Sequence, residues 1–390
     1  MISVKVVGLG AVCANGLTKE DIFDSVAASR SSVNEHGLSS LSMGQWAQLT
    51  KKVPPAFTAS KCTLLAFDSL NSALTEAAWS KNEIAESGFI FASTTSQIDL
   101  WEKHLPFYHN ETYDGEKIRN SVANQSLGTP TVHMAEHFRI RGPMALTTSS
   151  CSASLQALAT AFLWIRAKKV RRCIVGTTEI HADLTRVGFG SLRLLSKNIC
   201  SPFDKNRAGI NLGEGSAFLC LEDAGLRPQT AGWGYLSGAG LSTDAYHATS
   251  PHPEGKGSQE AMRMALESAK LDPKKIGWVY AHGTGSPAND LAEAKAISQV
   301  FSHKPWVSST KSSHGHTLAA SGALESVLGL LAMKRNEILP THNYKETDPQ
   351  ISLRITSEKV AQPLDHFLKN SLGFGGINAS VIFSKTARPS

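Results

Sequence analysis

The chain has 390 residues, enough for two to three units at about 150 residues each, and 41% of them are hydrophobic and 18% charged. These proportions exclude a disordered, collagen-like or coiled-coil chain. A formal net charge of +6 can steer an acidic partner but is too small for a dedicated nucleic-acid binder.

The chain opens MISVKVVGLG, with its first lysine inside a short apolar run. The run is too short and interrupted for a signal segment and reads as a first buried strand. β-Branched runs at 4–7, 89–92, 144–148, 173–176 and 216–221 read as strands separated by helical stretches. The second half repeats this with 232–239, 278–281, 306–309, 352–355, 371–374 and 380–383. Such alternation predicts an α/β architecture with largely parallel sheets. No window of 18 uninterrupted apolar residues occurs, so no membrane span is expected. The six cysteines are scattered without a C-x-x-C pair, which favours a reduced compartment and a cytoplasmic protein.

Two segments read as copies of one another. In each, a strand enters a Ser/Thr/Gly-rich turn and then an unusually apolar helix: 146–151 leads into 153–167, and 307–316 into 317–333. Helices without a polar face are buried, so the two halves, 1–225 and 226–390, are expected to pack around paired central helices. The stretch 222–232, EDAGLRPQTAG, is the evident connector.

The chemistry-bearing residues sit in these turns. Cys151 opens the first buried helix, where the macrodipole and unpaired N–H groups favour a thiolate nucleophile. His282 follows an apolar strand on the loop AHGTGS, and His316 ends KSSHGH, five residues after Lys311. Two such loops and a poised cysteine point to one shared site. Near the C-terminus, LGFGG surrounds Phe374 with glycines and reads as a tightly turned or mobile loop with a bulky plug.

In order and spacing, TTSSCSAS at 147–154, SPFD at 201–204 through GEG at 213–215, HGTGS at 282–286 with Asn289-Asp290, Lys311 through Gly315-His316, and NSLGFGG at 370–376 resemble the β-ketoacyl-acyl carrier protein synthases over essentially the whole chain. The resemblance implies a thiolase-like fold of two similar halves in five layers. It makes Cys151 the acyl-accepting nucleophile and His282 and His316 the catalytic histidines, with Lys311 supporting His316 and Glu325 pairing with Lys311. Thr249, Thr284 and Ser286 would meet a phosphopantetheine arm. Phe374 would be a gate whose N–H, with that of Cys151, forms an oxyanion hole. The implied reaction is a decarboxylating Claisen condensation that lengthens a carrier-bound acyl chain by two carbons. It needs no metal and no cofactor beyond the phosphopantetheine of an acyl carrier protein. The expected assembly is a homodimer or a heterodimer with a related ketosynthase.

Some residues depart from that pattern. ASTTSQID at 92–99 replaces a Gly-rich segment, and His314 and Ala319 flank the histidine motif. A specialised branch making polyenes or polyketides fits these departures. The alternative is a chain-length-setting partner subunit, although such subunits usually lose the nucleophile. Two local patterns compete less well. HMAEH at 133–137 matches the zinc-peptidase spacing H-x-x-E-H but has no third ligand. RAKKVRR at 166–172 reads as cations at a helix C-terminus, or else as a docking surface for an acidic carrier protein.

Overall fold

The computed structural model describes residues 2–103, 105, 115, 116, 119, 122 and 126–387. Eleven strands share one continuous sheet: β1 (Val4–Cys13), β2 (Gly88–Ala92), β3 (Met144–Thr147), β4 (Arg172–Glu179), β5 (Gly215–Asp223), β6 (Gly234–Thr243), β7 (Trp278–Tyr280), β8 (Trp306–Ser308), β9 (Arg354–Ile355), β10 (His366–Gly373) and β11 (Ile377–Ser384). The helices that matter for the site are α1 (Lys61–Ala77), α2 (Thr129–Phe138), α3 (Ala153–Arg166), α4 (Asp183–Ser191), α5 (Lys256–Ala269), α6 (Pro287–Val300), α7 (Lys311–His314) and α8 (Ser321–Arg335).

The repeat is explicit in the topology. The first half runs β3-β2-β4-β5-β1 and the second β8-β7-β10-β11-β6, with β9 added at the second edge. In each half the first two pairings are parallel and the next two antiparallel. β1 and β6 join the halves by a short antiparallel seam, Val4 opposite Leu236 to Val6 opposite Gly234.

Five layers follow from where the apolar faces go. α3 and α8 pack against each other and against strands of both halves, and their aliphatic residues form the central core with inward faces of the sheet. α1 covers the outer face of the first half and α5 with α6 that of the second. Even the glycines repeat: a Cβ on Gly8 or Gly10 of β1 would collide with the α1 backbone at Ala73 or Ser69, and one on Gly238 or Gly240 of β6 with α5 at Ala265 or Ala261. Small residues on both sides let helix and strand approach closely.

The strands lie where the residue pattern put them, but the largely parallel sheet was a misreading. Strands covered on both faces look equally apolar in either direction, so neither the antiparallel pairings nor the β10–β11 hairpin left a periodic signal. The 371–374 run is the end of a strand that begins at His366, and Phe374 lies in the turn beyond it. Among the described residues no helix is long and apolar enough to cross a membrane.

Candidate active site

The Cys151 turn leaves β3 at its edge-strand end and enters α3 two residues after the cysteine. Ser150 takes a left-handed conformation there, φ 51°. This geometry drives Cys151 inward, so it is 94% buried, and burial pushes its thiol up to about 12. Lys311 and the backbone N–H groups of Cys151 and Phe374 oppose that shift without overcoming it. The expected resting thiolate is therefore corrected: a helix start favours charge, but desolvation in a closed core outweighs it.

His282 stands two residues beyond β7 on a loop held by two buried carboxylates. Glu293 accepts the His282 and Gly283 N–H groups at 2.7 and 2.8 Å, and Asp290 accepts those of Thr284 and Gly285 at 2.9 and 3.0 Å. Burial raises the pKa of both acids, against the pull of these donors. Gly283, at φ 38°, lies so close to Ser309 and Phe203 that a side chain has no room.

His316 follows Gly315, whose φ of 70° lets the chain press onto Leu212 and Gly213. Its Nε2 lies 3.1 Å from Cys151 Sγ and its Nδ1 2.9 Å from Ser321 Oγ. The two imidazoles meet edge to face at 5.2 Å. Burial holds both well below the usual histidine range, with Lys311 adding to the effect. The resting pair is a neutral thiol beside a neutral imidazole.

Lys311 differs from its expected position. Its Nζ donates to the His282 carbonyl and to Glu325 Oε1, each at 2.6 Å, while the His316 nitrogens are occupied by Cys151 and Ser321. Glu325 also meets Lys369 Nζ at 2.7 Å. Lys369 donates to the carbonyls of Ala281 and Asn370 at 2.9 and 2.7 Å. Burial works to raise the Glu325 pKa, but the two ammonium groups bring it down to about 2. Lys369 is lowered by burial to about 8. Sequence reasoning missed Lys369 because a lysine in a strand reads as solvent-facing, and Ser321 because nothing distinguishes it from other helix-start serines.

A cavity of about 240 Å³ brings together Cys151, His282, His316, Phe374, Thr249, Thr284 and Ser286. Lys311 and Glu325 lie outside its lining, completely buried. Phe374 stacks on Phe189 at 5.4 Å, and Gly375 and Gly376 turn at φ 84° and 73°. The ligand atoms of Cys151, His282 and His316 lie within 4.8 Å of one another, a spacing that could hold a metal ion, and the ammonium groups of Lys311 and Lys369 oppose a cation there.

The remaining sequence features have structural partners. His137 is exposed and packs its ring against Phe57 and Phe67, so in the H-x-x-E-H helix that histidine has aromatic neighbours. In the basic run, Lys169 lies over Trp164 and Arg172 pairs with Glu83 and Glu222. His314 is buried between Thr310 Oγ1 and the Gly315 carbonyl, at 2.8 and 2.7 Å. In the 92–99 segment, Ser93, Thr94 and Thr95 all donate to buried Glu179.

Comparison with known proteins agrees with this geometry. Residues 42–226 match the β-ketoacyl synthase N-terminal domain and 233–345 the C-terminal domain. A 3-oxoacyl-[acyl-carrier-protein] synthase 2 of Synechocystis sp. is 35% identical over 277 residues, 68% of this chain and 66% of the relative. The chain thus spans just under two thirds of the length of that relative. Among solved structures, the ishigamide ketosynthase/chain length factor superposes with a TM-score of 0.88 at 25% identity, covering 99% of each chain. A β-ketoacyl synthase from Burkholderia phymatum STM815 gives 0.87 at 28% identity, covering 99% of this chain and all of the other. The repeated five-layer scaffold, the cysteine and histidines meeting across it, and both domain matches place the chain in the β-ketoacyl synthase family.

Proposed function

We propose that the chain is an acyltransferase that condenses an acyl group held on Cys151 with a malonyl group on an acyl carrier protein, releasing CO₂. The 3.1 Å approach of His316 Nε2 to Cys151 Sγ, with His282 on the same cavity, carries this reading. The sulfur attacks the acyl thioester as its proton passes to His316. The Cys151 and Phe374 N–H groups receive the oxyanion. Collapse expels the carrier thiol, which takes the proton from His316.

The malonyl thioester then binds with its carbonyl between the imidazoles. As CO₂ leaves, the electrons of the broken C–C bond form an enolate, stabilised by donation from His282 and His316. Its carbon attacks the acyl-Cys151 carbonyl, the C–S bond breaks, and the thiolate recovers a proton from solvent through His316. Lys311, Glu325 and Lys369 position these groups: Lys311 fixes the His282 backbone, and burial, reinforced by the Lys311 charge, keeps both imidazoles neutral.

Thr249, Thr284 and Ser286 are assigned to the phosphopantetheine arm because they line the cavity with the cysteine. No resident cofactor or metal is invoked. Six free cysteines suit a reducing cytoplasm. A dimer is assigned to the β3 edge, where Met144 and Leu146 are exposed on a strand that, among the described residues, is paired on one side only.

The test is intact-mass analysis of an acyl carrier protein incubated with malonyl-carrier protein and the chain. The reading requires a product two carbons longer that depends on Cys151. The likeness to a ketosynthase/chain length factor supports a second reading, a subunit that sets product length in a heterodimer. Product length that changes on mixing with a related ketosynthase, and survives Cys151→Ala in this chain, would establish it.

A further inference from the structure

We infer that Ser321 is a positioning residue that fixes the His316 proton on Nδ1 in the resting enzyme, leaving Nε2 as the acceptor for the Cys151 proton. Four hydrogen-bonding groups stand in line, all buried: Cys151 Sγ, the His316 imidazole, Ser321 Oγ and Thr317 Oγ1. The spacings are 3.1 Å from sulfur to Nε2, 2.9 Å from Nδ1 to Ser321 Oγ, and 3.1 Å from that hydroxyl to Thr317 Oγ1. A neutral imidazole has one N–H, so the direction of the line is a single choice.

The sulfur decides that choice. The sulfur is buried and keeps its hydrogen. A protonated thiol is a weak acceptor, so a donor from Nε2 gains little, whereas the thiol's own hydrogen needs an acceptor. The line therefore runs from S–H to Nε2, from Nδ1–H to Ser321 Oγ, and from the Ser321 hydroxyl to Thr317 Oγ1. A hydroxyl can also serve the opposite tautomer, because it both donates and accepts. With Thr317 donating to Ser321 and Ser321 to Nδ1, Nε2 carries the hydrogen that an enolate oxygen requires. His282 lacks this freedom: its Nδ1 is 3.4 Å from Ser371 Oγ, whose hydroxyl hydrogen goes to the Cys151 carbonyl at 2.9 Å.

The test uses the whole chain with ¹⁵N-labelled histidine, the His316 signals being assigned by their loss in His316→Ala. The wild type should show Nδ1 protonated and Nε2 bare; a protonated Nε2 overturns the inference without any variant. Ser321→Ala should shift His316 toward the Nε2–H tautomer and slow alkylation of Cys151 by iodoacetamide about tenfold at neutral pH. Ser321→Thr should restore both, and the His282 signals should stay in place. Thr317→Val, which keeps Ser321, should give a smaller effect of the same sign and serves as the variant arm if Ser321→Ala does not fold. A folded Ser321→Ala with unchanged tautomer or alkylation also overturns the inference. It rests on the proposed use of His316 as base, but neither readout involves condensation. A chain that shows this tautomer and never elongates an acyl group refutes the functional reading alone.

Discussion

The two strand–turn–helix units at the centre of the molecule share a topology and differ in polarity. In the first, α3 buries Ala153, Leu155, Ala157, Leu158, Ala161 and Phe162, and Cys151 is the ionisable group at its start. In the second, the turn and α8 bury Lys311, His314, His316 and Glu325, which Lys369 joins from β10. In the proposed reaction one half offers the nucleophile on an apolar helix and the other the proton-handling and charge network. Chemistry and stability should therefore separate in the first unit and be inseparable in the second.

The largest effect expected from breaking this contrast is on rate. Cys151→Ala should lower condensation by about a thousandfold or more while changing unfolding free energy by no more than about 1 kcal/mol. Malonyl decarboxylation should persist, because the histidines remain. His316→Ala should lose decarboxylation as well, and wild-type condensation in that variant would refute the two-histidine mechanism.

In the second unit the same kind of change should damage the fold. Glu325→Gln leaves Lys311 and Lys369 uncompensated and should destabilise the chain by about 3–5 kcal/mol at neutral pH, measured by urea unfolding. The sign with pH follows from the Glu325 pKa, about 2 when folded against an ordinary 4.5. Its stabilisation is complete above the ordinary value and is lost as pH falls toward 2. The gap between wild type and Glu325→Gln should accordingly narrow below about pH 4.5.

A smaller effect is expected at the hairpin turn that closes the cavity. Gly375→Val puts a β-branched residue at φ 84°, a strain of about 1–3 kcal/mol. Acylation of Cys151 should slow by about tenfold through hindered movement of Phe374. An unchanged rate would make the loop merely structural.

The remaining change, spread over six sites, is an alkaline loss of stability. All six cysteines are raised by burial above their ordinary 9.0. The unfolded chain then loses protons that the folded chain keeps, so stability should fall as pH rises above about 9. Lys369 pulls the other way from about 8, and replacing it with Met should steepen the decline.

What could be read from the residues follows the same division. Cys151, His282, His316 and Phe374 were legible because each sits in a turn of small residues at the end of an apolar strand, where backbone geometry and reactive side chains coincide. The repeat was legible because both central helices lack a polar face. The charge state of Cys151 was not, since a helix start reveals the dipole and not the depth of burial. Lys369 and Ser321 were invisible because their roles depend on elements that meet only in three dimensions. The antiparallel pairings were hidden because a strand covered on both faces carries no record of its neighbour's direction.

The hydrogen bond between Cys151 and His316 spans 165 residues, and that between Ser371 and the Cys151 carbonyl spans 220. Between the two halves of the sheet lies a seam of three paired positions. Closing such distant contacts costs chain entropy before any contact repays it, so this site should be completed late in folding. Each half can gather its helices and strands while the sulfur and the imidazole are still far apart. Acyl transfer at Cys151 should therefore report on the completed chain, because the base that takes its proton arrives from the other half.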